Sequence, residues 1–250
     1  PLGRTDVYTI DSIDLSEFVN GDPSQGLLPD KDGLRDDNLV TKVSETYFAG
    51  DTAGQEIRKT SIKYDAEGVP IAITVYAYDH DGVTVGALDG ATAEDRLVKT
   101  TTYTGDSVDI ACFVDGVLDP ASDGLKTAGV IKQEETYYEG NYEKVDHSLR
   151  YNVLGEVSGG VDYQYEYNGS LVTASAADQM DLMKKSSSYS QIGEEKTMRA
   201  ETFFDGMSAG YEKVDYVFLY NSKGDRIGYT RYWYEHLTGL DPPYELRRAK

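Results

Sequence analysis

The amino-acid sequence predicts an all-β protein: an elongated antiparallel β-sheet built from repeated β-hairpins, with short helical or loop connectors. Three observations carry this. A phrase of the form Tyr-Asp/Asn-x-x-Gly occurs three times. Apolar residues alternate along the segment that follows it. Tyr outnumbers Phe 21 to 6 while hydrophobic residues reach only 39%. Rings with one polar end must therefore cover much of the apolar surface.

In chain order, residues 1–38 are not an obvious copy of anything later and are read as a divergent first unit or a cap. Residues 39–250 are read as a repeat array, with units of about 39–96, 97–172 and 173–250. The phrase stands at Tyr64-Asp65-Ala66-Glu67-Gly68, Tyr151-Asn152-Val153-Leu154-Gly155 and Tyr220-Asn221-Ser222-Lys223-Gly224. Each glycine is followed by Tyr at +8 and +10: Tyr76 and Tyr78, Tyr163 and Tyr165, Tyr232 and Tyr234. Asp65, Asn152 and Asn221 suit the first position of a type I turn, where the side chain bonds the backbone two residues on. Gly68, Gly155 and Gly224 supply a positive φ at no steric cost. A type I turn closed by a left-handed residue makes a hairpin with a bulge. In that register the residue before Asp/Asn pairs with the residue two beyond Gly. Even offsets then share a face, which puts Tyr64 with Tyr76 and Tyr78. The opposite set, Val69, Ile71, Ile73, Val75 and Ala77, is an unbroken apolar alternation.

The copies extend upstream. Glu45-Thr46-Tyr47-Phe48-Ala49-Gly50 matches Glu135-Thr136-Tyr137-Tyr138-Glu139-Gly140 and Glu201-Thr202-Phe203-Phe204-Asp205-Gly206. From that Glu to the turn Tyr is 19 residues in the first and third copies and 16 in the second, which reads as a loop deletion after Gly140. A shorter piece, Leu97 to Tyr103, resembles Leu182 to Tyr189. Ala87 to Arg96 and Ala174 to Met183 are the expected helical or loop connectors. Ser158-Gly159-Gly160 marks a bulge inside a strand arm. Ile110 to Val114 reads as an apolar strand, with Cys112 as a small buried hydrophobe.

The net charge is −20. Nucleic acid needs cationic contacts with its phosphates, so neither it nor an anionic membrane is an expected partner. No apolar run is long enough to span a bilayer. Pro1-Leu2-Gly3 reads as a cloning remnant, and the chain as a piece of a longer protein. The absence of a leader then says nothing about compartment.

Little points to chemistry. His80, His147 and His236 have no His or Cys at metal-ligand spacing. Ser208 in Gly206-Met207-Ser208-Ala209-Gly210 has the form of a nucleophile elbow but not its strand-to-helix setting. Two segments, Asp30-Lys31-Asp32-Gly33 and Asp79-His80-Asp81-Gly82, have the Asp-x-Asp-Gly form. Asp30, Asp32, Asp79 and Asp81 are thus weak candidates for Ca²⁺, although neither segment completes a twelve-residue loop with its final Glu. An ordinary Asp-rich turn is the simpler account, and no cofactor is expected.

The phrase at Tyr64 to Gly68, Tyr151 to Gly155 and Tyr220 to Gly224, with Tyr78-Asp79-His80-Asp81-Gly82 as a fourth candidate, resembles the YD repeat of the Rhs and teneurin families. That resemblance implies spiralling hairpin sheets, often closed shells, on large secreted or extracellular proteins. Units here are longer and less regular, which favours an open sheet. No catalytic residue transfers. The leading expectation is a structural segment of a secreted or cell-surface protein: a stalk, adhesin shaft or filament. Its partners would be neighbouring repeats or further copies of itself. An alternative is a module that binds glycans or proteins through the Tyr76, Tyr78, Tyr163, Tyr165, Tyr232 and Tyr234 face. A third is a shell encasing a toxin.

Overall fold

A computed structural model describes residues 3–9, 12, 17, 33–34, 41–50, 52–114, 117–206, 209, 212–236 and 244–249. Its elements in order are β1 (Arg4–Tyr8), β2 (Lys42–Ala49), β3 (Ile57–Tyr64), β4 (Pro70–His80), β5 (Val83–Gly86), β6 (Arg96–Thr104), β7 (Phe113–Val114), β8 (Val117–Leu118), β9 (Lys132–Glu139), β10 (Lys144–Tyr151), β11 (Val157–Tyr167), β12 (Ser170–Val172), β13 (Leu182–Ile192), β14 (Glu195–Asp205), β15 (Lys213–Tyr220), β16 (Arg226–His236) and β17 (Tyr244–Ala249). Short 3-10 turns occur at Gly105–Ser107, Ile110–Cys112 and Ala174–Ala176. The fold is antiparallel β-sheet built from repeated hairpins, as the sequence predicts.

The chain forms two compact units. The first comprises Pro1–Tyr76, His80–Asp95 and Thr102–Ile131; the second comprises Ala77–Asp79, Arg96–Thr101 and Lys132–Lys250. In the first, β1 pairs β2, β2 pairs β3 and β3 pairs β4. In the second, β9, β10, β11, β13, β14, β15, β16 and β17 follow one another across the sheet, and β12 folds back on β11.

Three hairpin sets share one register. Tyr47 faces Thr60, Tyr137 faces His147 and Phe203 faces Tyr216. One turn further along, Ile62 faces Ile73, Leu149 faces Gly160 and Phe218 faces Tyr229. The register shifts fall at matching places too. Lys59, Asp146 and Asp215 are each passed over in the pairing with the Glu-Thr-Tyr arm. Ile71, Ser158 and Ile227 are passed over beside the turn. A strand bearing one extra residue bends and twists more strongly, so the same distortion recurs in each copy.

This second shift corrects the expected faces. Tyr64 pairs with Pro70, as predicted, but Lys63 pairs with Ala72, so Ile71 is extra. One extra residue exchanges the two faces of a strand. Tyr64 therefore packs beside Ile62 and Ile73 in the core, while Tyr76 lies on the other face with its hydroxyl 3.0 Å from Ser61 Oγ. The run Val69 to Ala77 is split likewise: Val69 and Ile71 are exposed and Ile73 is fully buried.

Each unit has its own core. In the first, Tyr47, Ile62 and Ile73 are covered by Val108 and Leu118. These come from the segment after β6, whose closest approach is at Gly105: a Cβ there would lie 1.8 Å from Pro70 O. Polar anchors hold the cover. Leu118 N donates to Tyr47 Oη (3.3 Å), and Thr60 Oγ1 donates to Asp123 O (2.8 Å). The Lys59 ammonium donates to Asp119 O and Pro120 O at 3.3 and 3.2 Å, and burial lowers its pKa. Ile110 to Val114 is not the expected strand. Asp109 caps a 3-10 turn over Ile110–Cys112, and only Phe113–Val114 is extended. Cys112 is half-buried against the core. In the second unit, Tyr165 packs on Ala174 and Ala177. The connector at Ala174 forms a 3-10 turn, whereas that at Ala87 to Arg96 is turn and coil before β6 begins.

Candidate functional site

The three turns share one set of bonds to the backbone. Gly68 N donates to Asp65 O, Gly155 N to Asn152 O and Gly224 N to Asn221 O, at 3.2, 2.9 and 3.1 Å. The Asp/Asn Oδ1 accepts two further backbone N–H groups: Glu67 and Val69, Leu154 and Glu156, Lys223 and Asp225. The glycines sit at φ of 78°, 78° and 82°. Tyr151 pairs with Val157 and Tyr220 with Arg226, each two beyond the glycine.

The turn tyrosine has a specific partner. Its hydroxyl donates to the glutamate of the Glu-Thr-Tyr arm in every copy: Tyr64 to Glu45, Tyr151 to Glu135 and Tyr220 to Glu201. A lysine completes each group. Lys42 Nζ lies 2.8 Å from Glu45 Oε2, and Lys132 Nζ lies 2.9 Å from Glu135 Oε1. Lys99 from β6 also reaches Glu135, at 3.3 Å. In the third copy Met198 stands where Lys42 and Lys132 do, and Lys185 from β13 supplies the cation. Glu45 and Glu135 are buried. Burial opposes the ionisation of Glu135, but Tyr151, Lys132 and Lys99 outweigh it and hold the carboxyl at about 2. Glu201 is depressed for the same reasons, its partners being Lys185 and Tyr220. Conversely, burial and then Glu135 push Tyr137 up to about 12, Tyr151 rises for the same two reasons, and Tyr64 rises through burial and then Glu45. A tyrosine so shifted stays protonated and holds a donor on the carboxylate. The recurrence of a Glu-Thr-aromatic arm upstream of each turn tyrosine is the sequence signal of this latch, although the glutamate was not singled out by it.

The six tyrosines after the glycines serve mainly as packing. Tyr78 and Tyr165 are buried, and Tyr165 Oη donates to Val145 O at 2.8 Å. Tyr76, Tyr163, Tyr232 and Tyr234 are half-buried. The bulge expected at Ser158-Gly159-Gly160 is the shift at Ser158. The glycines have a further reason. A Cβ at Gly160 would lie 2.3 Å from Ser148 O and 2.6 Å from Tyr189 Oη, and one at Gly159 would lie 2.4 Å from Tyr189 O. The Tyr189 ring fills the space that a side chain at Gly160 would occupy, and the backbone of β13 closes the space at Gly159.

Asp30 and Asp32 lie outside the described residues. Asp79 Oδ2 accepts from Arg96 Nη2 at 3.2 Å. Asp81 and Gly82 both have positive φ, 51° and 80°. They form a two-residue hairpin turn, so Tyr78 to Gly82 is not a fourth copy of the three-residue turn. Asn168-Gly169 has the same conformation at the equivalent place in the second copy. No group of three or more His, Cys, Asp or Glu is placed to hold a metal among the described residues. His80 Nδ1 is 2.9 Å from Asp95 Oδ2, and His147 stacks on Tyr137 at 4.5 Å between ring centres. Ser208 and the side chain of His236 lie outside the description.

The sequence did not single out one further feature. Register positions that are Tyr47, Ile62 and Ile73 in the first copy are Phe203, Phe218 and Tyr229 in the third. With Tyr216, stacked on Phe203 at 4.5 Å, they make a cluster of four rings. Tyr229 is exposed. Beside the cluster is a groove of about 440 Å³ lined by Glu166, Lys184, Asp205, Asp215 and Tyr216. The fold and these groups define an antiparallel hairpin-sheet protein with a recurring Glu–Tyr–Lys latch. No protein-family model matches the chain, and no curated protein matches it significantly.

Proposed function

We propose that the chain is a structural repeat segment of a large secreted or cell-surface protein, serving as a stalk, adhesin shaft or filament and carrying no catalysis of its own. One observation supports this above others. The same turn, latch and pair of bulges recur three times, so the tyrosines, glutamates and lysines with the most chemical capacity are engaged in holding strands together. A scaffold needs identical units; an active site needs one unlike the rest. The resemblance of the turn phrase to the YD repeat fits this reading. Partners would be neighbouring repeats or further copies. The test is small-angle scattering of chains carrying one, two and three added copies of residues 97–172. A spacer lengthens in equal steps. A maximum dimension that instead grows as the cube root of mass, as for a sphere, rejects the proposal.

The ring cluster at Phe203, Tyr216, Phe218 and Tyr229, flanked by charged hydrogen-bonding groups, favours a second reading: a module that binds a glycan or protein by stacking. Its test is a glycan array with Tyr216→Ala and Tyr229→Ala beside the parent chain. Binding by the parent that both variants lose supports it; no binding, or binding unchanged in the variants, rejects it.

A further inference from the structure

β13 shows what a complete connector strand looks like: it pairs with β11 on one side and with the Glu-bearing arm β14 on the other. Among the described residues β1 and β17 each fill half of that role. β1 pairs with the arm β2, and β17 with the long strand β16. The registers coincide. Lys185 of β13 faces Gln164 and Phe203. Arg248 of β17 faces Trp233, which stands nine residues after Gly224 as Gln164 stands after Gly155. Arg4 of β1 faces Tyr47, the counterpart of Phe203. Arg4, Lys185 and Arg248 therefore occupy one position in three connector strands, and all are basic.

The present occupant of β2 is imperfect. Asp6 directly faces Glu45, and like charges at such a pair are unfavourable. Asp6 Oδ1 is buried without a hydrogen bond, 3.6 Å from Lys42 Nζ. In the register of β13, a strand carrying Arg248 opposite Tyr47 sets Ala249 opposite Thr46. Direction also selects the mode. β1 and β17 each run antiparallel to their neighbour, in the sense of β13. Placing β17 on β2 keeps every pairing antiparallel, whereas laying it beside β1 with the sheet faces matched gives a parallel pair.

We propose that β17 of one copy of this chain replaces β1 on β2 of a second copy, joining copies head to tail. This deepens the array reading and rests on it. The contact is heterologous, so repetition gives an open chain of copies wherever the rotation between them does not close a ring.

Two experiments test it. First, Val7→Pro removes a backbone donor from β1 and loosens it from β2. The variant should grow in mass with concentration by light scattering, and the added change Leu246→Pro, which disables β17, should return it to a monomer. Second, the full chain with Cys112→Ser, Thr46→Cys and Ala249→Cys, without the proline, should form a ladder of disulfide-linked multimers in a redox buffer. Pairing Thr5→Cys with Ala249→Cys should form none. The proposal fails if the Thr46/Ala249 pair yields only monomer, or if the Thr5/Ala249 pair links equally well. The array reading has its own readout, since scattering from tandem copies does not depend on association between chains.

Discussion

Tyr151→Phe isolates the latch, because it removes one hydroxyl and leaves the ring. Glu135 keeps three donors: Lys132 at 2.9 Å, Tyr137 at 3.1 Å and Lys99 at 3.3 Å. Two routes give the size of the loss. A hydrogen bond to a charged group contributes about 1.5–3 kcal/mol. Holding Glu135 at about 2 rather than 4.5 corresponds to about 3 kcal/mol at neutral pH, which shared among Tyr151, Lys132 and Lys99 is about 1 kcal/mol each. The routes meet at about 1–1.5 kcal/mol for the Tyr151 hydroxyl. The sign with pH follows from linkage. A carboxyl depressed in the folded state stabilises fully above its unfolded value of 4.5, and that stability is lost as pH falls towards 2. The difference between parent and variant should therefore be largest at pH 7 and shrink steadily below pH 4.5. Urea unfolding of both chains across this range measures it, with Tyr229→Phe as the exposed control. A loss of the same size at pH 7 and near pH 2, or no loss at pH 7, refutes the idea that Tyr151 acts through an ionised Glu135.

Other consequences are as direct. Gly160→Ala should destabilise by about 2–3 kcal/mol through overpacking against Tyr189, whereas Gly68→Ala meets no atom and should cost only about 1–2 kcal/mol for its positive φ; thermal melts compare them. Asn152→Ala should lose about 1 kcal/mol with its two turn acceptor bonds, and Asn152→Asp should regain only part of it, since the amide that donates to Glu156 Oε2 at 3.0 Å becomes a carboxylate beside it; urea midpoints decide. Leu118→Ala should cost about 3 kcal/mol and speed labelling of Cys112 by a thiol reagent, because the cover over Tyr47 and Ile62 is loosened. Labelling as slow as in the parent would show that the cover does not depend on Leu118.

Much of the local architecture was legible in the sequence. Asp/Asn and Gly fixed the turn type, and the turn type fixed the pairing of Tyr64 with Pro70, because both rest on short-range sterics and hydrogen bonds. Which face each residue occupies was not legible. It depends on extra residues such as Ile71, Ser158 and Ile227, and nothing in an alternating pattern announces the residue at which the ladder slips. Ile110 to Val114 misled for a related reason: five apolar residues have no period that separates strand from turn. Glu135 escaped because its partner, Tyr151, lies on the neighbouring strand, and 44 acidic residues offer many alternatives. The ring cluster at Phe203 and Tyr229 needed the register before its positions could be matched with the buried Tyr47 and Ile73.

The loops between each Glu-bearing arm and the strand after it span residues 50–56, 140–143 and 206–212, so the second is three residues shorter. Pairing is nonetheless identical in all three hairpins. Alignment is dictated from the opposite end, by the Asp/Asn-Gly turn and the carboxylate it brings under the tyrosine. The loop end is thereby relieved of any say in strand alignment. Foreign peptide can be grafted there, or length gained and lost over evolutionary time, while the sheet beneath stays as it is.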